Sequence, residues 1–338
     1  MSFINTIRRR FFFLFLVVFG VSLVTFVITH LIPGNPAEMI AGDKAPKELV
    51  EKIYKEMGLD RPILVQYYKY MSDLLHGNLG ISIRTQRPVL NDILIFFPAT
   101  LELAAVALSI SLIFGVPLGV LSALCKGKAI DHIGHTISVT GISTPAFWLG
   151  LLLIFFFYGK LGILPASGRI DSSIAPPVHV TGLYLVDSLI AGNWAAFKSS
   201  LTYLLLPSLT LGFIHVGVVM RQIRSAMLEV LREDYIRTAR ASGLSPARIV
   251  LDHALRNALI PSVTIVGLAF GDLLYGAVLT ESIFAWPGMG NYVVLSITAL
   301  DFPAIMGFTI VASTVYVLVN LAVDLIYAAL DPQIRAIG

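Results

Sequence analysis

Cysteine and charge are what this sequence has least of. Its 338 residues include a single cysteine, Cys125, and 13% charged side chains. A lone cysteine excludes an intrachain disulfide and a cysteine-rich metal site; near the end of an apolar run it reads as a small apolar filler. The net charge of +3 is too small to point to nucleic acid. The phosphate-binding pattern GxxxxGK[ST] is missing as well. Its nearest fragment, Lys126-Gly127-Lys128-Ala129, lacks both the upstream glycine and the hydroxyl residue, so this chain does not hydrolyse ATP itself. No paired carboxylates and no G-x-S-x-G support catalysis. There is no low-complexity tract and no repeat of about 20–50 residues.

What is abundant is apolar surface. Hydrophobic residues make up 56% of the chain, and the mean hydropathy is +0.82. A soluble fold cannot hide this much apolar area, so the solvent must be largely lipid. Six apolar runs lie near 11–32, 99–123, 136–158, 201–220, 259–284 and 305–328, and none contains a lysine or arginine. Pro117, Pro145 and Pro207 interrupt three of them, which predicts kinked rather than broken spans. The first run is 22 residues, Phe11 to Ile32, with no small-residue cleavage site after it; it reads as a retained span rather than a signal peptide.

Orientation follows from the basic residues. With the N-terminus inside, the cytoplasmic segments carry 13 lysines and arginines, against three in the two shorter outer loops. The long outer loop, 33–98, exceeds the length over which the rule operates, so both termini are assigned to the cytoplasm. The chain divides into 1–98, holding the first span and this loop, and 99–338, holding the other five spans. In the loop, APKELVEKIYKEMG predicts a helix opened by Pro46 and stopped at Gly58. HGNLGISIRTQRPV predicts loop and short extended chain. This appendage either receives a soluble partner or shields the span ends. The second outer loop, 159–200, is rich in Gly, Pro and Ser.

The densest charge lies in 233–261, EDYIRTARASGLSPARIVLDHALRNALIP, with four arginines and three acids on the cytoplasmic side. Glu229, Glu233, Arg237 and Arg240 fall three or four apart and predict one helical face, with Leu228, Leu231, Tyr235 and Thr238 on a neighbouring stripe. Gly243 is a natural stop, and Ser245-Pro246 supplies a cap and a first-turn proline for a second helix. There Arg248, Asp252 and Arg256 predict an ionic ladder, while Leu251, Leu255 and Ala258 turn elsewhere. Such a pair either lies on the inner leaflet or docks into a protein groove. Interleaved acids and arginines favour the groove, where ionic complementarity fixes register.

This segment resembles the cytoplasmic coupling loop of binding-protein-dependent ABC importer permeases, in the wording of the dipeptide/oligopeptide branch. The likeness extends over LIPGNPAEMIAG, GNLGISIRTQRPV, PATLELA, DHIGHTISVTGISTPAFWLG and LTESIFAWPGMGNYV. It departs from the general motif where Arg237-Thr238-Ala239 replaces Glu-Ala-Ala and Arg256 replaces a mid-helix proline. The resemblance implies an all-α integral membrane protein with six transmembrane helices in the type I importer fold, placed in a bacterial inner membrane. It implies a second, homologous permease, two ATPase subunits that carry the ATP and magnesium, and an extracytoplasmic solute-binding protein. This chain would bind no cofactor. Dipeptides or oligopeptides are the implied substrates; nickel chelates, glutathione or another small solute suit the same architecture. An ion-driven secondary transporter is the reading from another class. The candidate coupling residues are Glu233, Asp234, Tyr235, Arg237, Arg240, Gly243, Asp252, His253 and Arg256.

Polar groups at membrane depth give a candidate substrate path of Asp272, Tyr275 and Glu281. Asp272, in mid-span near the GxxxG of 267–271, should face the pore or a partner rather than lipid. Glu102, Trp148, Trp286 and Tyr292 read as interfacial, FAWPGMG as a tight turn of an outer gate, and Asn320 with Asp324 as an interhelical contact. His132 and His135 form HxxH, but without further ligands nearby they read as part of a solvated loop rather than a metal site.

Overall fold

The computed structural model describes residues 3–31, 37–38, 46–56 and 58–330. Among them the regular structure is helical apart from one isolated bridge between Ile81 and Pro88. The helices are α1 (Phe3–Leu31), α2 (Lys47–Glu56), α3 (Ile63–Leu75), α4 (Val89–Leu124), α5 (Ala129–Ser143), α6 (Ala146–Leu153), α7 (Tyr184–Ile190) and α8 (Trp194–Val230). They continue with α9 (Asp234–Ala241), a short turn at Pro246–Arg248, α10 (Arg256–Gly276), α11 (Val278–Ile283), α12 (Met289–Thr298) and α13 (Phe302–Leu330). Wider π-helical turns fill Ile154–Lys160 and Ile249–Leu255.

Five helices are long and apolar enough to cross a membrane, and a sixth crossing exists if one bent pair counts as a span. That pair is the expected third span. It is two helices, Ala129–Ser143 and Ala146–Lys160, turned by 103°. Thr144 precedes Pro145 and sits in the extended region (φ −81°, ψ 122°), the conformation that a following proline imposes. Here the expectation of a kinked but continuous helix fails. Pro117 and Pro207 lie inside unbroken helices, as do Pro98 and Pro261.

The chain packs as two compact units. The first comprises Pro98–Asn291 with Leu318–Gly338. Its axis is α8, which buries Leu204, Leu206, Leu211, Val219, Met220 and Ile223. Small residues let its neighbours approach. A Cβ on Gly119 would stand 2.7 Å from the Met220 carbonyl oxygen, and one on Gly217 would stand 2.6 Å from that of Ser138. Lipid gives helices no hydrophobic drive to associate, so such close packing and the hydrogen bonds it permits must do so. Ser138 Oγ accordingly donates to Gly217 O at 2.8 Å and Ser111 Oγ to Gly212 O at 3.2 Å.

The second unit comprises Ser2–Phe97 with Tyr292–Val317. The helix expected after Pro46 is α2, and Gly58 follows it with φ +73°. Helix α3 was not foreseen. Its Tyr67 ring meets Phe26 of α1 edge to face at 5.1 Å, and its hydroxyl lies 2.9 Å from Ser22 Oγ. The turn between Ile81 and Pro88 is pinned by two fully buried acids. Asp301 accepts from Ser82 Oγ (2.5 Å) and Arg84 N (3.0 Å), and Asp92 accepts from Thr85 Oγ1 while pairing with Arg87 at 2.8 Å.

Candidate functional site

The charged segment folds as two short helical stretches around a glycine. Asp234 opens α9 and Arg240 closes it, each at the end where the helix dipole favours its charge. Gly243 follows with φ +76°, and a Cβ there would meet no atom within 4 Å. Glycine is therefore required for conformation alone. The chain then winds through the π-helical turns of Ile249–Leu255 and enters α10 without a break.

Two expectations change. Glu229 belongs to the last turn of α8, and 231–233 form a turn before α9, so Glu229 does not share a helical face with Glu233, Arg237 and Arg240. The ionic ladder is also interrupted. Arg248 and Asp252 are 4.0 Å apart, but the wider π winding moves Arg256 off the register of a uniform α-helix.

The buried face matches the one read in the sequence only in part: Leu228, Leu231, Leu255 and Ala258 pack into a core, whereas Tyr235, Thr238 and Leu251 do not. Ile236, Ile249, Ala254 and Ala258 pack with Val120 and Ala123 of α4 and with Val219, Ile223, Ala226 and Met227 of α8. Tyr235 and Leu251 instead point outward, 42% and 59% exposed. Their neighbours Glu233, Asp234, Arg237, Arg240, Gly243, Asp252 and Arg256 are exposed too, and His253 is half-buried. The element thus keeps a mixed-charge face with two large apolar side chains free, while its other face joins the inner ends of two long helices. Asn257 Nδ2 donates to Tyr235 Oη at 2.9 Å, tying α9 to the start of α10. Arg237 and Asp234 pair at 3.0 Å, but both are exposed and the pair adds little stability.

Nearby is an ion pair that the sequence reading missed. Asp131 on α5 is buried and accepts from Arg224 of α8 through Nε (2.6 Å) and Nη2 (2.8 Å). Ser122 Oγ (2.5 Å) and Gly127 N (2.9 Å) complete its shell. His132 and His135 follow on the same helix and are not in the solvated loop expected for them. The signal for this pair lies in Arg224, which together with Arg221 follows directly on the apolar run.

The polar groups at membrane depth are disposed differently from one another. Asp272 is exposed on α10. The side chain of Tyr275 lies outside the described residues. Glu281 is fully buried and accepts from Thr100 Oγ1 at 2.6 Å and Asn291 N at 3.0 Å. The FAWPGMG turn folds back over it: a Cβ on Gly288 would stand 2.4 Å from Glu281 Oε1. Trp286 Nε1 donates to Ala99 O at 2.9 Å, and Met289 N donates to Thr100 Oγ1 at 2.8 Å. Trp286 and Tyr292 are therefore buried rather than interfacial; Trp148 is 52% exposed.

Glu102 is likewise buried, not open to an interface. Arg169 reaches it with Nη2 at 2.7 Å and Nε at 3.2 Å, donates to Gly182 O at 2.7 Å, and stacks 3.7 Å over the Tyr184 ring. Asp187, outside the apolar runs, accepts from the amides of Val180, Thr181 and Gly182. Burial opposes its ionisation, but these bonds and the Thr181 hydroxyl hold its carboxyl below the usual carboxylate range.

Comparison with known proteins agrees with the likeness read in the sequence. Residues 115–336 match the family model "Binding-protein-dependent transport system inner membrane component", and 3–104 match the model of its N-terminal part. The chain is 60% identical to the probable D,D-dipeptide transport system permease protein DdpB of Escherichia coli K12, covering 99% of this chain and 98% of that one. It is 45% identical to the di/tripeptide transport system permease protein DppB of Pseudomonas aeruginosa UCBPP-PA14, covering 98% and 99%. With the dipeptide transport system permease protein DppB of Escherichia coli K12 the identity is 41%, covering 94% of each. The chain belongs to the binding-protein-dependent transport system inner membrane component family and is a multi-pass protein of the inner membrane.

Proposed function

We propose that this chain is the pore-forming half of an ATP-driven type I importer that moves dipeptides, D,D-dipeptides included, into the cytoplasm. A second, homologous permease completes the pore. An extracytoplasmic binding protein delivers the peptide, and two separate subunits hold the ATP and magnesium; this chain binds neither. The names of its relatives support the substrate class.

The observation that carries the mechanism is the two-faced element of residues 233–258. Its mixed-charge face, with Tyr235 and Leu251, suits a cleft on an ATPase subunit. Its apolar face shares one core with α4 and α8. When the ATPases close on nucleotide, a docked element joined in this way moves as a lever, because a close-packed core transmits displacement rather than absorbing it. The long helices tilt and open the pore to the loaded binding protein. Glu233, Asp234, Tyr235, Arg237, Arg240, Gly243, Asp252, His253 and Arg256 are the coupling residues in this reading.

The test is uptake of a labelled L,L-dipeptide and a labelled D,D-dipeptide by cells with and without the chain. Uptake should require the chain and stop when ATP is depleted while the proton gradient is held. Uptake that persists without ATP would overturn the reading in favour of an ion-driven carrier.

A further inference from the structure

Four carboxylates lie inside the apolar runs: Glu102, Asp272, Glu281 and Asp324. Three are engaged within the chain: Glu102 by Arg169, Glu281 by Thr100 and a turn amide, and Asp324 by a contact of its own. Asp272 differs. Among the described residues no side chain reaches its carboxylate with a hydrogen bond or ion pair.

Its place on α10 is specific. One side of this helix is packed: Ser262, Gly267, Ala269 and Leu273 are buried, and Gly267 lies so close to Val323 of α13 that a Cβ would stand 1.9 Å from Val323 Cγ2. Pro261, Thr264, Leu268 and Asp272 are exposed at spacings of three and four, a single stripe on the face turned from that packing. An ionised side chain cannot cheaply face hydrocarbon, so what covers this stripe is polar.

We propose that Asp272 is a specificity-determining residue of the translocation path, where its carboxylate takes the α-ammonium of the passing dipeptide. The inference rests on reading the chain as a dipeptide permease. Near neutral pH a dipeptide carries an ammonium at one end and a carboxylate at the other. Asp272 attracts the first and repels the second, so the peptide is held by its amino end. No lysine or arginine lies in any of the apolar runs to compete for the acid. Asp272 also stands on the helix that continues the docking element. It is about 24 Å beyond Arg256 along α10, at 1.5 Å per residue. A push on the docking element therefore shifts the stripe and the acid together, which ties release of the ammonium to the nucleotide cycle.

The experiment uses the complete transporter (both permeases, the ATPases and the binding protein) in proteoliposomes. The first readout places Asp272→Cys in a Cys125→Ala background and adds a water-soluble thiol reagent. Reaction is expected, because the stripe that carries this position faces a polar path. The second readout is peptide taken up per ATP hydrolysed. Asp272→Asn should lower it about tenfold, the usual size of a lost charged hydrogen bond, and Asp272→Glu should restore most of it. An unreactive cysteine, an Asn variant with the wild-type ratio, or an Asn variant that no longer assembles with its partners would each overturn the proposal. Wild-type proteoliposomes that import no dipeptide would instead overturn the permease reading.

Discussion

Arg169 offers the sharpest test of how the outer part of the first unit is held. It and Glu102 are about 5% exposed, and Arg169 also supplies the hydrogen bond to Gly182 O and the stack on Tyr184. Arg169→Met keeps most of the volume but leaves a buried carboxylate whose remaining partner is the Leu185 amide, at 2.7 Å. Breaking a buried pair from one side costs about 3–5 kcal/mol, whereas replacing both partners by neutral groups is often close to neutral. The Leu185 bond persists, so the loss for Arg169→Met should be near the lower end, about 3 kcal/mol. Glu102→Gln combined with Arg169→Met should recover about 2 kcal/mol relative to the sum of the single changes.

The assay is thermal unfolding in detergent followed by tryptophan fluorescence. Trp286 is buried, 5.7 Å from the Arg169 guanidinium, while Trp148 and Trp194 are exposed and can be changed to Phe. At about 2–4 °C per kcal/mol, Arg169→Met should unfold roughly 6–12 °C early, and the double variant should regain much of that. Wild-type unfolding of Arg169→Met, or simple addition of the two single losses in the double variant, would refute this account of the pair.

Ile236→Ala removes a fully buried side chain from the core beneath the docking face and should destabilise that element by about 2–4 kcal/mol, seen as faster proteolysis of 231–258. Gly243→Ala should cost about 1–2 kcal/mol because its φ of +76° is left-handed; Gly243→Pro, which cannot adopt that angle, should abolish uptake while the protein stays in the membrane. Arg240→Glu should also stop uptake without lowering the amount of chain in the membrane, measured by immunoblot. Gly119→Val would place its Cβ 2.7 Å from the Met220 carbonyl oxygen, closer than a side-chain carbon can sit, and should lower the yield of folded protein on size-exclusion chromatography.

Much of this architecture is legible in the sequence because lipid imposes simple rules. Long runs without lysine or arginine mark five of the long helices, and Gly58 and Gly243 mark two helix ends through their backbone angles. What the sequence conceals is pairing across distance. Glu102 and Asp131 look interfacial or loop-like until Arg169 and Arg224 are brought to them from 67 and 93 residues away. The third span shows a related limit. Periodicity cannot tell a kink from a 103° turn, since Pro145 permits either and packing decides. In the docking element, Tyr235 and Ile236 are adjacent in sequence, and the turn at 231–233 decides which is buried. A reading that extends α8 through that turn places Leu228 and Leu231 correctly on the packed side but wrongly adds Tyr235 and Thr238 to it.

The central claim is that residues 233–258 are a plug for a separate nucleotide-hydrolysing subunit. It is tested most directly by gentle purification of the tagged chain from its own membranes, followed by measurement of ATP hydrolysis in the eluate. The wild-type chain should bring an ATPase with it, and Leu251→Glu, which puts charge at a 59% exposed apolar site on the docking face, should lose it while remaining folded. An eluate of the wild-type chain with no ATP hydrolysis, or a Leu251→Glu eluate with as much as wild type, would contradict the account.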